Sequence, residues 1–132
     1  MTSSSIAARL RYVALAVATM IIGLAIHWRG DMLPSVARDK LGDALWAMMI
    51  AWLVAALIRS TRLLVRASIA LAICFAVELS QMYHGPTLDA VRATTIGELV
   101  LGSGFDARDL AAYTAGVLAA VILERVATTV RR

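Results

Sequence analysis

Glu78 and Gln81 stand one helical turn apart near the end of a long apolar run, Asp106 and Asp109 open another run, and Asp43 heads a third. Residues three apart share a helix face, so Glu78 and Gln81 would meet the same neighbour. If the span reaches Tyr83, the Glu78 carboxylate lies about 7 Å below its end, a depth that is costly in lipid unless the side chain faces other protein. There it would act as a structural hydrogen-bond or ion-pair partner, as a neutral acid, or as a functional group. Asp106 follows Ser103-Gly104-Phe105 and suits a helix N-cap, with Asp109 favoured in the first turn by the helix dipole. Along the same face come Ala112, Tyr113, Gly116 and Ala120, whose small residues at every fourth place let another helix approach closely. That approach would carry Asp109 and Tyr113 against the neighbour. Ala47, Ala51 and Ala55 form a second such seam, with Asp43 at its outer mouth. Arg92 is the natural counter-charge.

The expected site is thus a water-accessible cluster of Asp43, Glu78, Gln81, Arg92, Asp106, Asp109 and Tyr113. Its chemistry would be the binding of a polar ligand or an envelope lipid headgroup by a non-enzymatic or accessory protein. An alternative is an enzyme on a lipid-linked or phosphorylated substrate, with Glu78 or Asp109 as general base and Arg92 holding a phosphate. A third reading is a transporter subunit working as an oligomer. No catalytic residue, metal ligand or cofactor site is assigned.

The elements that must position these residues are membrane helices. Of 132 residues, 61% are apolar and 17% charged, with a mean hydropathy of +0.78, against roughly 45–50% apolar and about 25% charged in soluble domains. Too few polar side chains exist to cover a soluble surface, so lipid is the expected solvent. Four spans are expected, at about 10–28, 43–59, 63–83 and 109–127. They make an all-α, four-transmembrane-helix bundle in a single domain, 1–132. The charge-free part of the second, Ala44 to Ile58, covers only roughly 22 Å. A competing reading of the first span is a cleaved signal peptide ending near Gly23-Leu24-Ala25. The spans lack the alternation of a barrel strand.

Between spans three and four, Gly85-Pro86 ends one helix, Thr87 to Arg92 can form a short one, and Thr95-x-x-Glu98 reads as a capping box. Residues 93–105 are expected to lie in the interface or to dip back as a lid.

With four crossings, the side holding both ends carries eight arginines (Arg9, Arg11, Arg59, Arg62, Arg66, Arg125, Arg131, Arg132) against Glu124, a net of +7. The opposite side carries five basic residues against eight acids, a net of −3. The positive side marks the cytoplasm, so a bacterial inner-membrane protein with both termini inside is expected. The arginines at membrane-flanking positions read as contacts to anionic headgroups rather than nucleic acid. The expected partners are the bilayer, a lipid headgroup and other membrane proteins.

Other patterns carry less. Gly97-x4-Gly102-Ser103 has phosphate-loop glycine spacing but a serine in the lysine place. Ser103 with His84 or His27 is a poor hydrolase pair, being a glycine-flanked turn residue. Mg2+ or Ca2+ binding by the acids has no supporting His/Cys pattern. Cys74 reads as a small apolar filler, and Met48, Met49, Trp28, Trp46 and Trp52 as packing or interface residues.

The runs Val77-Glu78-Leu79-Ser80-Gln81, Leu88 to Thr94, Gly97 and Leu99 to Asp106, with Asp109, Tyr113 and Gly116, carry a family resemblance. Together with Gly42-Asp43-Ala44-Leu45-Trp46 they resemble the bacterial membrane proteins grouped as domain of unknown function 2809. The resemblance implies a four-helix inner-membrane protein and brings no established activity. More distantly, Glu78-x-x-Gln81, an arginine, and Asp109 with Gly116 are similar to VanZ-like proteins, linked to glycopeptide resistance. Tyr113 stands where those proteins usually carry Asn, and the stretch from Arg92 to Asp109 is longer.

Overall fold

The computed structural model describes residues 3–59, 62–102 and 104–130. Ser103, Arg131 and Arg132, invoked above, lie outside them. Among the described residues six helices follow one another: α1 (Ser3–Arg29), α2 (Ser35–Leu57), α3 (Leu63–Ser80), α4 (Pro86–Arg92), α5 (Thr95–Leu101) and α6 (Ala107–Thr129). The described residues hold no strand. Four of the helices, α1, α2, α3 and α6, are long and apolar enough to cross a membrane. Most of their large side chains that face outward are apolar, among them Ile21, Ile22, Leu64, Ile122, Leu123 and Val126. Lipid-exposed helices are expected to look like this.

α2 is the central element, packing on α1, α3 and α6, while α3 also meets α6 and α5. Small side chains make this possible. Ala47, Val54, Ala70, Cys74, Tyr113 and Val117 form one buried cluster between α2, α3 and α6. Tyr12, Ala16, Trp52, Ala55, Ala56 and Ala120 form another that includes α1. The α6 seam meets α2 at Gly116, where an added Cβ would come within 1.9 Å of the Ala44 carbonyl oxygen. Only glycine permits that approach. α1 runs unbroken through Gly23-Leu24-Ala25 and closes at Gly30, whose amide donates to the Ile26 carbonyl at 2.9 Å.

Helix limits differ from expectation in instructive ways. α2 begins at Ser35 rather than 43, so it is 23 residues long, or about 34 Å. Its first turns carry Arg38, Asp39 and Lys40, which lie before the charge-free run of the expected span. Likewise α1 begins at Ser3 and α6 at Ala107, both through polar turns. α3 ends at Ser80, and the chain continues to Tyr83 through amides that reach back three residues, Gln81 to Glu78, Met82 to Leu79 and Tyr83 to Ser80, each 3.1 Å. Such 3₁₀-type bonds commonly finish an α-helix.

The connection to α6 is a helical hairpin. Pro86 opens α4 behind Gly85, in the place where a missing N–H costs nothing. Thr94, not Thr95, caps α5: its hydroxyl accepts from the Gly97 amide at 3.0 Å, so the expected capping box is displaced by one residue and Gly97 fills its third helical place. A Cβ on Gly97 would lie 1.8 Å from the Val91 carbonyl oxygen, so α5 can sit against the end of α4. α5 closes at Gly102, whose φ of 68° is left-handed and whose Cα lies over the Gln81 amide.

Candidate functional site

The inward face of α3 repeats at every fourth residue: Arg66, Ala70, Cys74 and Glu78 are all buried, and Gln81 continues the line. Leu71 is only half-buried, and Met82 is exposed, because the chain has left the α-helix by then. Glu78 has no exposed surface. Its Oε2 accepts from the Tyr113 hydroxyl at 2.8 Å and from Gln81 Nε2 at 3.1 Å, while Oε1 accepts from the Asp106 backbone amide at 2.8 Å. Three donors from three different stretches of chain therefore converge on one carboxylate. A buried acid is tolerated when its lone pairs are met in this way. Tyr113 in turn lies against Trp46 of α2, ring centroids 5.7 Å apart.

Asp106 caps α6, its side chain accepting from the Arg108 amide at 2.9 Å. The Arg108 guanidinium, helped by that amide and by Lys40, holds the Asp106 carboxyl well below the usual carboxylate range. Above the buried node, Lys40 of α2 directs its ammonium to Asp106 at 3.2 Å, to Asp43 at 3.7 Å and to Asp109. Of these side chains, Lys40 is 27% exposed and Asp109 14%. The pair of layers is thus a buried Glu78–Gln81–Tyr113 node beneath a partly exposed Lys40–Asp43–Asp106–Asp109 mouth. Among the described residues, no three His, Cys, Asp or Glu side chains are arranged to hold a metal ion.

Arg92 does not serve as counter-charge to these acids. Its guanidinium donates to the Ser80 carbonyl at 2.6 Å, the Tyr83 carbonyl at 2.8 Å and Asp89 at 3.1 Å. It satisfies the open carbonyls at the end of α3 and ties α4 to them. The expected cluster therefore comes together through Asp43, Glu78, Gln81, Asp106, Asp109 and Tyr113, and Lys40 takes the place given to Arg92. Lys40 was legible as a continuation of the Asp43/Ala47/Ala51/Ala55 stripe, had the helix been carried past its first charge.

A second polar node went unforeseen. At the other end of the same α6 face, Glu124 Oε1 accepts from the Tyr12 hydroxyl at 2.7 Å and from Arg66 Nη2 at 2.6 Å. Tyr12 stacks on Trp52, and Arg66 and Arg11 lie over its ring at 5.7 Å and 5.1 Å. Arg66, read from sequence as a headgroup contact, is turned inward. Four-residue spacing from Ala120 to Glu124 and from Arg66 to Ala70 was the available signal.

A protein with four membrane-length helices, short tight seams and polar nodes at both ends of one helix face is the class that fold and site define. Residues 32–117 match the family described as protein of unknown function (DUF2809), and the chain belongs to that family. No solved structure matches the chain.

Proposed function

We propose that this chain is a four-span protein of the bacterial inner membrane, with both termini cytoplasmic, whose outer mouth binds the amine of an envelope lipid headgroup. The observation that carries this reading is the charge at the mouth: among the described residues, Lys40 alone faces Asp43, Asp106 and Asp109 there, joined only by the outlying Arg108 on Asp106. An arriving primary ammonium finds carboxylate lone pairs that Lys40 leaves unfilled, and it can donate three hydrogen bonds to them. A trimethylammonium cannot. The charge asymmetry of the ends, +7 against −3, supports the orientation. The α4–α5 hairpin carries Val91, Ile96, Leu99 and Val100 exposed; in this reading they rest in the outer interface and hold the mouth at headgroup level.

The acid–base alternative is less well supported, since Glu78 is enclosed and already accepts three hydrogen bonds, and Arg92 is committed to helix-end carbonyls. The test is a thermal-unfolding titration of purified protein in nanodiscs, comparing phosphatidylethanolamine with phosphatidylcholine. Ethanolamine headgroups should raise the midpoint in the wild type and not in Asp43→Asn/Asp109→Asn. Equal midpoints in the two lipids would refute the amine site. Reporter fusions after the C-terminus, active in the cytoplasmic form and silent in the periplasmic one, check the orientation.

A further inference from the structure

The basic end holds a cleft that the outer-mouth reading does not use. It lies where α3 begins, between Trp52 of α2, Leu63 and Arg66 of α3, and Val121 and Glu124 of α6. Its volume of about 10 Å³ admits one oxygen-sized group. Arg66 is 8% exposed and commits Nη2 to Glu124, yet its Nε is buried without a hydrogen-bond partner. A stranded guanidinium N–H is costly enough to require an acceptor.

The surroundings specify which acceptor. The N-cap residue of α3, Arg62, gives no side-chain cap, and the first turn of that helix contains no acid. The first amides of a helix have no partner within it and carry the positive end of the dipole, so they favour an anion. The single nearby carboxylate, Glu124, is already offset by Arg66 and by the Tyr12 hydroxyl. Arg11 stands over the Tyr12 ring, Arg59 reaches the Ser5 carbonyl at 2.7 Å, and Arg62 is exposed at the cleft's entrance helix.

We infer that this cleft is a phosphate site: one phosphate oxygen enters to accept from Arg66 Nε, and the rest of the anion stays at the mouth beside the start of α3 and Arg62. The phosphate belongs either to an anionic lipid headgroup or to a soluble phosphate. Small residues, Ala51, Ala55, Ala67 and Ala120, leave room for the oxygen.

The test uses the full chain in phosphate-free maltoside micelles, with phosphatidylglycerol added to the micelles in one arm and inorganic phosphate added to the buffer in the other. A rise in the unfolding midpoint with phosphatidylglycerol alone assigns the site to a headgroup; a rise with inorganic phosphate assigns it to a soluble anion. No rise in either arm overturns the inference. Arg66→Lys keeps a positive charge but lacks Nε, and should weaken the response about tenfold, the worth of one charge-assisted hydrogen bond. If that variant does not fold, Arg62→Gln, at an exposed position, should weaken it several-fold. Arg125→Gln, exposed at the same end, should leave it unchanged. An equal loss in Arg125→Gln and Arg62→Gln would mean diffuse attraction to the whole basic end and would refute a built site.

Discussion

Removing the Glu78 carboxylate tests the buried node most directly, and two substitutions should separate its charge from its geometry. Glu78→Ala strands three donors: the Asp106 amide, the Tyr113 hydroxyl and the Gln81 amide group. At about 1–3 kcal/mol for each buried group left unmet, and with a small cavity added, the cost is about 4–10 kcal/mol. That approaches the whole stability of a small protein, roughly 5–15 kcal/mol. Glu78→Gln should behave differently. Its amide oxygen can keep the Asp106 amide, while its NH2 donates to Tyr113 and Gln81 once the Tyr113 hydroxyl rotates and the Gln81 amide turns over. All three contacts survive in neutral form, so the loss is about 1–2 kcal/mol. Reversible unfolding in mixed micelles, or the temperature at which the detergent-solubilised protein loses monodispersity, ranks the two. Tyr113→Phe should cost about 1.5–3 kcal/mol in the wild type and less in the Glu78→Gln background, leaving a coupling of about 1 kcal/mol. Wild-type stability in Glu78→Ala, or zero coupling between the two positions, would show that the converging donors do not hold α3 to α6.

Three other perturbations address the elements around this node. Gly116→Ala places a Cβ 1.9 Å from the Ala44 carbonyl oxygen; α6 must move from α2 by about 1 Å, at a cost of about 1–3 kcal/mol, and the movement should appear as a lower unfolding midpoint together with altered Trp46 fluorescence in a background lacking Trp28 and Trp52. Lys40→Met leaves Asp43, Asp106 and Asp109 facing one another, and because the group is partly exposed the expected loss is about 1–2 kcal/mol, recovered when Asp109→Asn is added. The Asp106 carboxyl is held below the usual range in the folded chain, so the unfolded chain takes up its proton first as pH falls. Its stabilising effect is therefore complete above the ordinary carboxylate value near 4 and declines as pH falls below it; the difference between wild type and Asp106→Asn should persist at neutral pH and shrink under acid, and a difference independent of pH would contradict the assignment.

Much of the fold was legible because lipid makes composition nearly decisive. Long apolar runs can satisfy their backbone groups in hydrocarbon only as helices, so four of them could be counted directly. Seams at Ala47/Ala51/Ala55 and Ala112/Gly116/Ala120 pointed to a close helix neighbour for each span without naming it, and the Ala44–Gly116 contact shows α2 and α6 to be one such pair. Charge misled the eye at the ends. Arg38, Asp39 and Lys40 fell outside the expected span, yet α2 includes them, since the end turns of a helix can be charged.

Within the site, sequence alone determined which acids share a helix face: Glu78 with Gln81, and Asp109 with Tyr113 and Gly116. Those are matters of spacing along one element, set by 3.6 residues per turn. Tertiary structure alone decided which cation meets them. Arg92 and Lys40 are both near the acids in sequence or topology, but a long side chain goes to the strongest set of acceptors within reach. For Arg92 these are the carbonyls left open where α3 ends, and for Lys40 the three carboxylates gathered by α2 and the start of α6. The same reason governs the opposite end, where Arg66 turns inward to Glu124. Periodicity assigns a residue to a face, and only the packing of one face against another chooses its partner.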